Sequence, residues 1–230
     1  MGLFDGFNKG KQKDQENEEI KAYGWDAIQT AIDKVYPDQK PRNHYGTLIK
    51  WRLGGNDPLD GISIYDCEDY WHFITFGLTE LYEKENLNIF TSAEENREIS
   101  GYGMELTFKL KKGDYEDEDA EIKCICAILQ SIARLTFTKG EIFRPYEYLY
   151  TGQKQGIDTK TSSNITGFIT APETKMPEID TPNGRVTFLG FVGVTDSELQ
   201  KIINRETTVN ELYDKLGTDV TAYDRSSLYE

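Results

Sequence analysis

Tyr70-Trp71-His72-Phe73-Ile74-Thr75-Phe76 is apolar or aromatic on both sides of an extended chain. Side chains alternate across a strand, so Tyr70, Ile74 and Phe76 fall on one face and Trp71 and Phe73 on the other. A strand of that kind is covered on both faces. Asp60 to Cys67 precedes it, and the two predict a hairpin over Glu68-Asp69, a turn without the favoured Asn-Gly chemistry. In that hairpin Cys67 pairs with Tyr70. Further on, Met104, Leu106, Phe108 and Leu110 share one face, with Glu105, Thr107 and Lys109 on the other. That alternation predicts a half-buried strand. Gly101 and Gly103, just ahead of it, imply a tight backbone approach rather than a nucleotide loop, because they precede a strand and not a helix.

Outward from this centre the pattern is mixed. Trp25, Ile28, Ile32 and Val35 form one apolar stripe, predicting a helix from about Ile20 to Tyr36 that Pro37 and Pro41 stop. Thr47 to Leu53 leans towards strand, and Gly54 to Pro58 is a turn cluster. The acidic run Glu116-Asp117-Glu118-Asp119 opens a helix to about Thr138, where carboxylates favour the helix dipole. Ile122, Ile125, Leu129 and Ile132 supply its stripe. Thr151 to Pro182 reads as a long excursion with one strand at Ile165 to Ala171, and Arg185 to Val194 is a strong strand. Thr195/Glu198 and Thr208/Glu211 are capping boxes opening two helices, the second closed by Gly217. The polar last residues offer Tyr223, Leu228 and Tyr229 as anchors. No regular βα alternation exists, so the fold class is α+β: a mixed, mainly antiparallel sheet with helices packed against it. Residues 1–19 are polar apart from Leu3, Phe4 and Phe7 and read as a flexible tail, with 20–230 as the folded domain. Met1-Gly2 raises myristoylation, but Gly6 stands where the motif wants Ser or Thr.

The chain has 230 residues, 14 Tyr, 11 Phe and a net charge of −14. So negative a field repels nucleic acid and anionic membranes and suits a basic partner. Three Cys imply no disulfide framework, no apolar run reaches membrane-spanning length, and no signal-like h-region opens the chain. A soluble, cytoplasmic protein is expected. Cys124-Ile125-Cys126 cannot both reach one ion from a helix, and His44 and His72 have no Cys-x-x-Cys beside them, so no metal or cofactor is expected. Cys67, Asp69 and His72 lie close across the hairpin, and a Cys–His contact is possible on the diagonal. Catalytic partners usually converge from separate elements, and neither Gly-x-Ser-x-Gly nor His-Glu-x-x-His is present, so no enzyme is expected.

The succession His44-Tyr45-Gly46, Pro58 to Tyr65, Trp71-His72-Phe73-Ile74-Thr75-Phe76-Gly77-Leu78-Thr79-Glu80-Leu81-Tyr82 and Ser100-Gly101-Tyr102-Gly103-Met104-Glu105-Leu106-Thr107-Phe108-Lys109-Leu110 resembles the Suppressor of fused family. The likeness runs from about Trp25 to Arg225. Phe191 to Leu199 and Asp219 to Arg225 look like the trailing half of bacterial members. Similar animal proteins hold transcription factors of the Hedgehog pathway by peptide contact and carry a further C-terminal domain, for which this chain is too short. Bacterial members look like immunity proteins that neutralise polymorphic toxins. The resemblance therefore implies a protein partner, a basic toxin domain, met by steering and aromatic anchors. The expected anchors are Tyr70, His72, Glu80 and Tyr82. The alternative is a peptide-binding adaptor that adds a strand to a sheet edge, with the hairpin Asp60 to Phe76 as the candidate edge.

Overall fold

The computed structural model of the chain describes residues 21–82 and 98–229. The expected tail, residues 1–19, and its myristoylation signal lie outside the described residues. One nine-stranded sheet organises the rest. Its strands are β1 (Asn43–Gly46), β2 (Gly61–Asp66), β3 (Tyr70–Phe76), β4 (Ile99–Lys111), β5 (Tyr148–Leu149), β6 (Ile165–Pro172), β7 (Ile179–Thr181), β8 (Gly184–Thr195) and β9 (Val220–Thr221). The order is β1-β2-β3-β4-β8-β6-β5, with β7 beside β8 and β9 beside β4. β4 pairs in parallel with β8 and β9, and every other pairing is antiparallel.

Helices cover both faces, which is why the central strands are apolar on both sides. α2 (Glu118–Lys139) lays Ile122, Ile125, Leu129 and Ile132 on Phe73, Leu106, Phe108 and Phe191. On the other face α1 (Tyr23–Val35) sets Ile28 and Ile32 against Tyr65, Ile74, Phe76 and Phe188. Further along that face, α3 (Asp196–Ile203) and α4 (Val209–Leu216) cover Ile169, Ala171, Val192 and Val194. Trp71, Phe73, Phe76, Phe108 and Phe191 are all fully buried. Each such side chain contributes roughly 1.5–3 kcal/mol through removal from water. Caps then fix the helix ends. Asp117 accepts from Ala120 N at 3.0 Å at the start of α2, and both predicted capping boxes are formed.

Four expectations are corrected. Thr47 to Leu53 is not a strand: β1 ends at Gly46, and Trp51–Leu53 is a turn of 3₁₀ helix with Leu48, Ile49 and Leu53 exposed. Its strand-like composition has no sheet neighbour to pair with. Met104 to Leu110 is not half-buried: Glu105, Thr107 and Lys109 are 0 %, 0 % and 2 % exposed, because polar partners from distant segments cover that face. Thr151 to Pro182 carries β7 as well as β6. The hairpin Asp60 to Phe76 is no edge: β1 and β4 flank it, and β1 and β5 end the sheet.

Candidate partner-binding site

The signature residues of the hairpin and its exit divide by exposure. Tyr70 is 9 % exposed and His72 0 %, while Glu80 and Tyr82 are half-buried. The segment Gly77 to Tyr82 is held chiefly through its backbone. Glu105 Oε1 accepts from the amides of Gly77, Leu78 and Thr79 at 2.9–3.1 Å and from Thr79 Oγ1 at 2.7 Å. Its other oxygen accepts from Thr75 Oγ1 at 2.7 Å. Burial pushes the Glu105 carboxyl up to about 7, and those hydrogen bonds keep it from rising further. Glu80 N donates to Ser100 Oγ, Tyr102 N donates to Leu78 O, and Leu81 O accepts from Gly24 N and Trp25 N. The last pair satisfies orphan amides of α1, whose N-terminus has no side-chain cap. Gly101 lies at φ +57°, and a Cβ there would meet Leu78 O at 2.8 Å. The approach expected of Gly101 is thus to the very segment that Glu105 clamps. Tyr82 Oη accepts from Lys50 Nζ, which also sits over its ring.

A second buried group fills the seam between α1 and the α3–α4 pair. Lys109 Nζ contacts Glu173 Oε1 at 2.8 Å, Asp219 Oδ2 at 2.5 Å and Thr174 Oγ1 at 2.7 Å. Thr107 Oγ1 donates to Glu173 Oε2 at 2.5 Å. Burial pushes the Glu173 carboxyl up, but His72 and Lys109 outweigh it and hold it well below the usual carboxylate range. Burial lowers His72, against the pull of Glu173. Cys67 does not meet His72 directly, and Asp69 is exposed at the turn. The carboxylate near the imidazole is Glu173, which no sequence pattern pointed to. Cys126 is buried and its thiol pushed up to about 12 by desolvation, as a core cysteine should be. Among the described residues no group of His, Cys, Asp and Glu has the geometry to hold a metal ion, and no helix is long and apolar enough to cross a membrane.

A wide concavity lies elsewhere, at the β5 end of the sheet. It is an open groove of ≈ 1370 Å³ between α2 and β5, floored by Ile128, Leu135 and Phe143. Ile142, Tyr148 and Tyr150 on its lip are 47 %, 47 % and 42 % exposed. Three carboxylates (Glu141, Glu147, Asp158) and one ammonium (Lys139) line it. β5 pairs only with β6, so its outer backbone edge is open in the sheet. Sequence reasoning missed this site. A two-residue strand leaves no periodicity, and the only signal was the aromatic density of Phe143 to Tyr150.

Comparison with known proteins agrees with this architecture. The family model described as "Suppressor of fused protein (SUFU)" matches residues 55–226. Human Suppressor of fused homolog is 32% identical over 184 residues, 76% of this chain and 36% of the human protein. The chain thus spans little more than a third of that relative. The crystal structure of Drosophila Suppressor of Fused superposes with a TM-score of 0.75 at 31% identity, over 90% of this chain and 51% of the fly chain. A chain from the crystal structure of the Sufu–Fu complex gives 0.74 at 30% identity, over 90% of this chain and 92% of that one. The matched span contains the Glu105 clamp, the buried Lys109–Glu173 pair and the β5 groove, and the chain belongs to the Suppressor of fused family.

Proposed function

We propose that this chain is a protein-binding domain that holds an extended, basic segment of a partner polypeptide in the groove beside β5, making and breaking no covalent bond. The observation that carries this reading is the coincidence of three features: an unpaired sheet edge, a groove with exposed tyrosines, and a lining with more carboxylates than cations. An added strand gains main-chain hydrogen bonds from the edge and specificity from side-chain pockets. Tyr148 and Tyr150 supply rigid apolar area, the usual currency of interface anchors. The net charge of −14 favours a cationic partner on approach. A relative of this chain has been crystallised in the Sufu–Fu complex, which supports a partner-holding role for the fold.

The finer reading is an immunity protein: a cytoplasmic antitoxin that occupies a basic toxin domain. Glu80 and Tyr82, half-buried at the signature, are second candidate contacts, whereas Tyr70 and His72 are buried at the other end of β3. The test is co-expression with the polypeptide encoded beside this gene, then calorimetry on the purified pair. A 1:1 complex that restores growth, with Tyr148→Ser weakening it at least about tenfold, is the expected result. Binding that Tyr148→Ser and Ile142→Ser leave intact would remove the groove from the account. A partner with no toxic activity would leave the adaptor reading in place of the antitoxin.

A further inference from the structure

Partner binding makes no use of a chain of ionisable groups beneath the β2–β3 turn. Cys67 is half-buried there, beside exposed Glu68 and Asp69, with its amide donating to Tyr70 O. The Tyr36 hydroxyl, from the residue that ends α1, lies 3.5 Å from Cys67 Sγ and 2.6 Å from His72 Nδ1. His72 Nε2 is fully buried, has no hydrogen-bond partner, and faces Glu173 Oε2 at 3.6 Å. Thiol, phenol, imidazole and carboxylate thus follow one another from the surface inward. We infer that Cys67 is a modification site, a thiol reactive towards peroxides, whose proton passes through the Tyr36 hydroxyl to His72.

The proton count closes. With the imidazole proton on Nε2, on the side of Glu173, the Tyr36 hydroxyl donates to His72 Nδ1 and stands next to the Cys67 thiol. When the thiol proton moves to the phenol oxygen, the phenol proton moves to Nδ1, so Tyr36 stays a neutral phenol throughout. That suits its environment, since burial and Cys67 push the phenol far above its ordinary range. The imidazolium that forms then points Nε2–H at Glu173, which is held as an anion. Burial lowers the His72 imidazole and Lys109 adds to that, while Glu173 and Asp219, the acidic groups facing it, favour the transient imidazolium. Lys175 Nζ lies over the rings of Tyr36 and Tyr70, at 5.8 and 5.1 Å from their centroids. The thiolate attacks one peroxide oxygen. The S–O bond forms, the O–O bond breaks, and the leaving hydroxide takes the proton back from His72 through Tyr36 as water. Cys67 is oxidised by two electrons to the sulfenic acid and the peroxide is reduced.

Cys124 is the internal control, because burial and Glu121 raise its thiol and no imidazole adjoins it. The experiment treats the full chain with hydrogen peroxide, traps sulfenic acid with dimedone, and follows each cysteine by mass spectrometry. Cys67 should be modified at least about tenfold faster than Cys124 in the unaltered protein. Tyr36→Phe keeps the ring stacked on Tyr65 at 4.7 Å and removes only the hydroxyl. It should slow Cys67 about tenfold and leave Cys124 unchanged. A Cys67 rate no greater than that of Cys124 overturns the proposal without any variant, and so does a Cys67 rate indifferent to the hydroxyl in a folded Tyr36→Phe protein.

Discussion

Glu105 bears more of the local architecture than any other single side chain described. It gathers three amides and two hydroxyls from the strand exit Thr75 to Thr79; Leu78 there receives the backbone of β4 beside Gly101, and Leu81 just beyond it receives α1. Glu105→Gln keeps the shape but turns one acceptor into a donor facing donors. It should destabilise the protein by about 2 kcal/mol, read as a lower urea midpoint. The same carboxyl predicts a pH effect. Its pKa in the folded chain is about 7, above the ordinary value of 4.5, so between those limits the folded state keeps a proton that the unfolded chain releases. The stability it contributes is full below about 4.5 and falls as pH rises towards 7, by about 3 kcal/mol in all. Desolvation lowers both His44, on the edge strand β1, and the fully buried His72, so they titrate with the opposite slope across overlapping pH. The difference between wild type and Glu105→Gln isolates the carboxyl. A difference that stays flat from pH 4.5 to 7 would show that the clamp is ionised throughout.

At the scale of elements, the C-terminal strap shows how a short segment is secured without a core of its own. Arg225 makes two 2.6 Å contacts with Glu198 and donates to Gly193 O, and Leu228 N donates to the same carboxylate. Glu198 is fully buried and also closes the capping box of α3. Burial pushes it up, but Arg225 prevails and holds it below the usual range. Arg225→Ala leaves that charge buried without its cation and should cost about 3 kcal/mol. The C-terminal residues should become susceptible to limited proteolysis, and unchanged resistance would mean that β9 and Tyr229 suffice to hold the strap. Much of this layer was legible in the sequence. Stripes at steps of three and four gave α1 and α2, Thr-to-Glu spacing gave the starts of α3 and α4, a two-sided apolar run gave β3, and the Val, Phe and Leu content of 185–194 gave β8. What stayed hidden depended on distant partners. Glu105, Thr107 and Lys109 look solvent-facing because alternation cannot show that Glu173 and Asp219, 66 and 110 residues away from their partners, will close over that face. The groove was hidden too, since it is a property of where β5 ends the sheet and not of any run of residues.

Across the whole molecule the charge distribution separates two roles. The chain carries 40 acidic against 26 basic residues, and among the described residues Glu173 and Glu198 have cations at hand while most other acidic side chains face solvent. Such a surface repels itself when folded and attracts a cation-rich partner over distances set by the Debye length. Both effects weaken as salt shortens that length from ~30 Å at about 10 mM to ~8 Å at about 150 mM. The folded chain alone should therefore gain stability over that range, by about 1 kcal/mol or ~2–4 °C in Tm. Association with a basic partner should slow about tenfold over the same range, mostly in the on-rate, because steering acts before the groove is occupied. Calorimetric melting of the isolated protein and stopped-flow association of the pair would measure the two trends side by side. Opposite responses to one variable fit a surface that attracts and a groove that retains. A partner whose on-rate ignores salt would have to be recognised by the β5 groove through shape alone.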